Sequence, residues 1–275
     1  MTRTFFATQL EGAATFWRIL RRDGVALGFT SHDRDLSLGS LTLRAAPGMV
    51  PAAIRRSADF SPDSAEIRGT LAHDAISETD LAIGKFDGAQ VESGVIDWET
   101  GEHAVLYRGE MGAVSQEGAG FEAELLSAKA LLARDDIPRT SPTCRAEFCG
   151  RECGVDPARQ TVEGEVSVVD IEANAVFFNQ LGGAFPAAQF PNGTVRWFDG
   201  PHAGTSMTVI DVIADGFLLD RPLSDALETG IRARLRTGCD HTIATCTNRF
   251  ANAANFRGEP FVPGNDLLTR YPVGR

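Results

Sequence analysis

Short segments in which apolar and polar residues alternate run through most of the chain, separated by Gly, Asp and Pro. "AQVESGVIDWE", "TVEGEVSVVDIE" and "IRARLRTG" are three examples. A two-residue period is that of a strand with one buried face, and strands spaced by about 8 to 12 residues are typical of sandwiches and barrels. The sequence therefore predicts a mainly β protein with few short helices.

Turn and capping residues predict three local structures. Ser77 and Thr79 precede an apolar pair that Gly84 follows, the pattern of a short capped helix. "GVALGFTSH" and "LSLGSLTLRAA" are predicted to form a hairpin around "DRD". "GTVRWFDGPHAGTSMTVI" is predicted to form a second hairpin, with Trp197 entering the core.

A polar stretch that contains Pro, "RDDIPRTSPTCRAEFCGRECGVDPARQ", interrupts the strand-like pattern near the middle of the chain. The 275 residues are enough for two domains of ordinary size. We therefore predict two β-rich domains. Residues 1–136 form a sandwich or barrel, and residues 137–275 form a second β domain with an irregular, cysteine-containing end.

Charge and hydropathy exclude several classes of protein. A net charge of −11 argues against a protein that holds nucleic acid in bulk, because neutralising phosphates needs a surplus of Lys and Arg. The sequence has no apolar run long enough for a membrane span and no signal peptide, so we expect synthesis in the cytoplasm. Five cysteines, an odd number, then favour thiols, thiolate ligands or a redox group over a disulfide framework.

Two of these cysteines lie in "GCDHTIATCTNRFANAANFRGEP", Gly238–Pro260, which has neither a helical nor a strand period. Such irregular backbone needs some other means of support. A metal centre, a disulfide, a catalytic cysteine and a docking loop are the alternatives. A catalytic cysteine would need a base, and although His241 lies two residues from Cys239, no triad motif accompanies it.

The cysteines form two groups, Cys144, Cys149 and Cys153 in the linker and Cys239 and Cys246 near the end. Only Cys149 and Cys153 approach the short spacing of zinc ligands. The wider spacings, eight residues between Cys144 and Cys153 and six between Cys239 and Cys246, suit a larger object such as an iron–sulfur cluster. Free cysteines are often small buried apolar residues, but three within ten residues of polar linker are hard to explain in that way.

No other motif indicates catalysis. The five histidines share no ligand spacing, and the Gly-rich segments "LGGAFP" and "PNGT" lack the frame of a phosphate-binding loop. The chain is therefore predicted not to be an enzyme. A cell-wall hydrolase would need a Cys-His or Glu-centred motif, which the sequence does not contain.

Three stretches together resemble a family of conserved phage and prophage proteins that includes the tail hub proteins of alphaproteobacterial gene transfer agents. They are "RRDGVALGFTSHDRDL", "IRGTLAHDAISETDLAIGKFDGAQVESGVIDW" and "GCDHTIATCTNRFANAANFRGEPFVPGND", in the family's order. The similarity extends from about Phe16 to Asp266. It implies an N-terminal β domain related to tail-tube modules and a C-terminal domain that carries an iron–sulfur cluster, expected to be [4Fe–4S].

The resemblance also implies the ligands of that cluster. The family has a Cys followed nine positions later by Cys-Gly, matched by Cys144 and Cys153, and a Gly-Cys-Asp with a second Cys seven positions on, matched by Cys239 and Cys246. Cys149 departs from the family pattern and is a possible substitute for Cys144 or Cys153. Zinc is the alternative metal, and an iron–sulfur redox or sensor protein is the alternative function.

For assembly, the resemblance implies a structural hub in the tail of a phage-like particle. Copies of the chain are expected to form a ring, in threes, between the distal tail protein and the fibre-bearing tip protein. The N-terminal domains would line the channel through which DNA leaves. The protein would be made in the bacterial cytoplasm and then built into the tail.

Overall fold

The computed structural model describes residues 12–46, 50–51, 64–70, 76–117, 120–127, 129, 137, 139–179, 181 and 185–262. The chain divides into two compact units, Met1–Asp135 and Asp136–Arg275. The prediction of a mainly β protein is confirmed, since the described residues hold fifteen strands and two short α-helices. Within these ranges no helix is long and apolar enough to cross a membrane.

The first unit contains one nine-stranded sheet in the order β3-β4-β2-β1-β7-β8-β9-β6-β5. All neighbouring strands are antiparallel except β2 and β4, which are parallel. The strands are β1 Ala13–Leu20, β2 Ala26–Thr30, β3 Leu36–Leu38, β4 Leu41–Ala45, β5 Val50–Pro51, β6 Ser64–Thr70, β7 Gln90–Asp97, β8 His103–Glu117 and β9 Gly120–Ser127.

Both faces of β1 are buried. Trp17 and Ile19 belong to the larger apolar cluster of this unit, whereas Phe16 belongs to a second, smaller one. Phe16 pairs with Gly94 of β7, where a Cβ atom would lie 2.7 Å from the Phe16 ring. The glycine therefore makes room for the aromatic ring.

The hairpin predicted around "DRD" is wrong. β2 pairs in parallel with β4, with Phe29 opposite Arg44, and the reversal occurs later, between β3 and β4. Gly39, whose φ is +62°, makes that turn. The glycine turn makes β3 and β4 a local hairpin, and β2 pairs with β4, the second strand of that hairpin.

The predicted capped helix is confirmed as α1, Glu78–Ala82. The Ser77 hydroxyl accepts a hydrogen bond from the Asp80 amide at 3.1 Å, and Gly84 follows the helix with a φ of +75°. These are the N-cap and the left-handed C-terminal glycine that the sequence indicated.

The second unit contains a closed six-stranded barrel in the order β10-β11-β14-β13-β12-β15. The predicted hairpin is confirmed as β12 and β13, and Trp197 lies fully in the barrel core. A short helix, α2 Ile243–Asn248, follows the last strand. The strands are β10 Thr161–Asp170, β11 Ala175–Asn179, β12 Thr194–Trp197, β13 Ser206–Ile213, β14 Gly216–Leu219 and β15 Arg232–Arg236.

Candidate metal centre

The barrel brings the two cysteine groups to one place. β10 and β15 are antiparallel neighbours, with Thr161 at the start of β10 opposite Arg236 at the end of β15. The segment before β10 and the segment after β15 therefore leave the barrel at the same end. The first carries Cys144, Cys149 and Cys153, and the second carries Cys239 and Cys246.

Four cysteine side chains line one largely enclosed cavity at this end of the barrel. They are the four that the family resemblance implies, namely Cys144, Cys153, Cys239 and Cys246. The cavity is small, with a volume of about 20 Å³, and its remaining wall exposes mostly apolar atoms, with Phe148, Val155 and Phe250 among the lining residues. Cys149 is not among them, although it lies in the same loop as Cys153.

Backbone hydrogen bonds join the two segments beside Cys144. The Cys144 amide donates to the His241 carbonyl at 2.8 Å, and His241 Nδ1 lies 3.0 Å from the Cys144 carbonyl oxygen. The Arg145 amide donates to the Arg257 carbonyl at 3.0 Å. These bonds satisfy main-chain groups that no regular strand pairs, which explains how an irregular segment is held in place.

Amide groups point at the cysteine sulfurs. The His241 amide donates to Cys239 Sγ at 3.4 Å, and the Arg257 amide donates to Cys144 Sγ at 3.3 Å. Asn252 Nδ2 lies 3.9 Å from Cys153 Sγ and donates to the Cys153 carbonyl at 2.7 Å. Donors around sulfur stabilise a thiolate over a thiol, and they also tune metal–thiolate sites.

The turn into α2 positions the last two cysteines. Asp240 accepts hydrogen bonds from the Thr242 amide and from the hydroxyls of Thr242 and Thr245, at 2.8–2.9 Å. Thr242 in turn caps α2 by accepting from the Thr245 amide at 3.2 Å. This network fixes the chain between Cys239 and the buried face of α2, where Cys246 lies.

The thiols influence one another electrostatically. Burial raises the pKa of Cys246, and the neighbouring Cys144, Cys239 and Cys153 raise it further. Burial also raises the pKa of Cys239, against the opposing effect of the His241 amide. Several thiolates in one cavity repel each other, so a fully anionic set needs a cation among them.

Cys149 has a different environment. Burial raises the pKa of its thiol to about 11, an increase that nearby Arg236 opposes. Its backbone is left-handed, with a φ of +61°. Cys149 and Cys153, the two residues with the short spacing of zinc ligands, therefore differ in position, because Cys153 lines the cavity and Cys149 does not.

An ion pair that the sequence did not predict joins the same two segments. Arg145 donates to both carboxylate oxygens of Glu259, at 2.7 and 2.9 Å, and the second of the two segments is thereby tied to the first. The Ser141 amide adds a third bond to Glu259 at 2.9 Å. The Arg145 hydrogen bonds lower the pKa of Glu259 to about 2. A separation of 114 positions leaves no local signal for such a pair.

The described residues contain no three His, Cys, Asp or Glu side chains placed to hold one metal ion between them. The four cysteines nevertheless share a cavity. Their donor set, four soft thiolates in a mainly apolar wall, is the one that iron–sulfur clusters and structural zinc both use.

Known proteins match both parts of the chain. Residues 3–156 match the family model "Baseplate hub protein, N-terminal attachment domain", and residues 188–266 match "Phage conserved hypothetical protein BR0599". Among solved structures, a chain of "Virion of native gene transfer agent (GTA) particle" is 31% identical and has a TM-score of 0.84. The match covers 99% of this chain and 96% of that chain. No curated protein sequence matches.

Proposed function

Because this chain belongs to the family of baseplate hub proteins that share the N-terminal attachment domain, we propose that it is a structural hub in the tail of a phage-like particle or gene transfer agent. The observation that carries this proposal is the match to a virion chain over nearly the whole length of both proteins. Both units, including the cysteine-containing one, are thus shared with a component of an assembled particle. The role is structural rather than enzymatic.

Copies of the chain form a ring, in threes, between the distal tail protein and the fibre-bearing tip protein. The N-terminal sheet lines the channel, and DNA passes through it in transit. An acidic lining would present no cationic sites that retain DNA. Support for this charge comes from composition, since residues 1–135 carry 20 Asp and Glu against 13 Arg and Lys.

The four cysteines of the cavity hold an iron–sulfur cluster, proposed to be [4Fe–4S] because four thiolates are its ligand set. Cys144 and Cys153 come from one segment and Cys239 and Cys246 from the other, so the bound cluster would link the two covalently through metal–thiolate bonds. Support comes from the four cysteines, which are drawn from two segments and line one cavity. Zinc in the same cavity is the second candidate, because its ligands are also thiolates.

This arrangement gives the cluster a structural task. The segment from 237 to 262 contains little regular structure, and its fixed points are hydrogen bonds, one ion pair and the cavity. Metal binding contributes to folding free energy where the apo segment is poorly ordered. The chain's own residues meanwhile hold the ligand segments in register, through His241 and Asn252.

The double variant Cys239→Ser and Cys246→Ser tests both parts of the proposal, with Cys149→Ser as the matched control. We expect the double variant to lose bound iron and to stop tail assembly, while the control retains both. Unchanged iron content would refute the ligand assignment. Lost iron with normal assembly would instead refute the structural role of the metal.

A further inference from the structure

Three arginines line an open groove on the outer face of the barrel, which we call the arginine groove. Arg196 lies on β12, and Arg234 and Arg236 lie on β15. The rest of the lining consists of three hydroxyl side chains, one carboxylate and three apolar residues, namely Thr161, Thr194, Ser206, Glu163, Pro157, Ala158 and Val162. The guanidinium and hydroxyl donors in this lining are groups that bind oxyanions.

The positions of two of these arginines are expected to destabilise the barrel. Arg196 is directly opposite Arg234 in the register of β12 and β15. Like charges in that position destabilise a sheet. Arg234 has compensating contacts, with Glu163 at 3.1 Å and with the Phe198 ring, whose centroid is 5.0 Å away. Arg196 and Arg236 form no ion pair with any residue in the described ranges.

The groove also contrasts with the rest of the molecule. The chain carries 37 acidic residues against 26 basic ones, whereas the groove has three arginines and one carboxylate. Two guanidinium groups without a carboxylate partner in the described ranges, on an acidic protein, favour a negatively charged partner that completes the pairing.

We infer that the arginine groove binds carboxylate side chains on the surface of a second copy of this chain, an inference that rests on the proposed ring of copies. The chain itself supplies such carboxylates in excess, and arginine pairs with them through two parallel hydrogen bonds. A groove on one copy that contacts a different surface of the next is a heterologous contact, the kind that generates a closed ring.

DNA is the less favoured partner. Binding a nucleic-acid backbone neutralises many phosphates, whereas the groove offers three cations beside a carboxylate on a protein of net charge −11. The long-range field of the protein repels a polyanion. Isolated carboxylates on a folded surface fit the local chemistry better.

The first test is a cross-link. Arg196→Lys retains the positive charge and introduces an amine, which a carbodiimide joins to a contacting carboxylate. The full-length variant is mixed in light and ¹⁵N-labelled form, so that links between copies are identified by mass. We expect a link between copies from position 196 to an Asp or Glu. A link found only within one copy, or none at all, overturns the inference.

The second test measures association. Arg196→Glu removes the repulsion with Arg234, so the barrel is expected to fold. We expect this variant to associate about tenfold more weakly than the wild type at low salt. Arg34→Glu, an equal charge change at an exposed position of the first unit, is the control and should associate normally.

The outcomes separate this inference from the proposed function. If the wild type forms rings and Arg196→Glu forms them equally well, the groove is not the contact and the ring remains. If the wild type forms no ring at any concentration, the proposed ring itself is wrong. Binding of a DNA oligonucleotide that depends on Arg196, without a cross-link between copies, would replace the protein partner with nucleic acid.

Discussion

Cys144 and His241 exchange main-chain and side-chain hydrogen bonds across 97 positions of sequence, at 2.8 and 3.0 Å. This contact joins the segment that enters the barrel to the segment that leaves it. Both residues line the cavity that the four cysteines share. The contact explains how cysteines from distant parts of the chain come to line one cavity.

The first prediction concerns the individual cysteines. Serine at position 144, 153, 239 or 246 replaces a soft thiolate with a poor ligand, and each variant should retain less than half of the wild-type iron. Cys149→Ser should retain all of it, because Cys149 does not line the cavity. Iron per chain, measured after anaerobic purification, checks the set. Loss of iron in Cys149→Ser with retention in Cys144→Ser would exchange their roles.

The second prediction concerns Asn252, which holds Cys153 in position. Asn252→Leu removes the bond to the Cys153 carbonyl and leaves that acceptor without its partner, at a cost of about 1–3 kcal/mol in the free energy of unfolding. It also removes the amide donor that lies 3.9 Å from Cys153 Sγ. Denaturant unfolding and iron retention during dialysis measure the two effects. Asn248→Leu, an exposed position on α2, is the control and should behave as wild type.

The third prediction concerns pH. Arg145 lowers the pKa of Glu259 to about 2, from an ordinary value of 4.5. A carboxyl with a depressed folded-state pKa adds stability that is complete above about pH 4.5 and is lost as the pH falls towards 2. The difference in Tm between wild type and Glu259→Gln should therefore be constant from pH 5 to 8 and shrink below pH 4.5. A difference that grows on acidification would contradict the ion-pair account.

The fourth prediction concerns Gly238, which immediately precedes Cys239. A Cβ atom there would lie 1.7 Å from the Pro191 carbonyl oxygen, and no side-chain rotation relieves a clash with backbone. Gly238→Ala should cost about 3 kcal/mol or more and displace Cys239. Thermal unfolding measures the first effect and iron content the second. Gly12→Ala, where the nearest atom is 3.3 Å away on the Trp98 side chain, should be tolerated.

Local patterns in the sequence predicted the local structure well. Ser77 and Gly84 marked the ends of α1, and Trp197 marked a core position of the β12–β13 hairpin. Both are decided by residues within a few positions of each other. The pairing of β2 was not predictable in this way. The turn at Gly39 pairs β4 with β3 on one side, and β2 pairs with β4 in parallel on the other.

The site was predictable in its composition but not in its geometry. The family resemblance named the four cysteines that line the cavity. The pairing of Thr161 with Arg236, which brings them together, is a property of barrel closure and has no signature in either segment. The bond between Arg145 and Glu259 and the opposed arginines of the groove depend on the same long-range register.

The central claim is that the cavity of four cysteines binds an iron–sulfur cluster. Its most direct test is the iron and acid-labile sulfide content of the anaerobically purified full-length protein. We predict about four iron and four sulfide per chain, as a [4Fe–4S] cluster requires. One zinc per chain with no sulfide would contradict the claim.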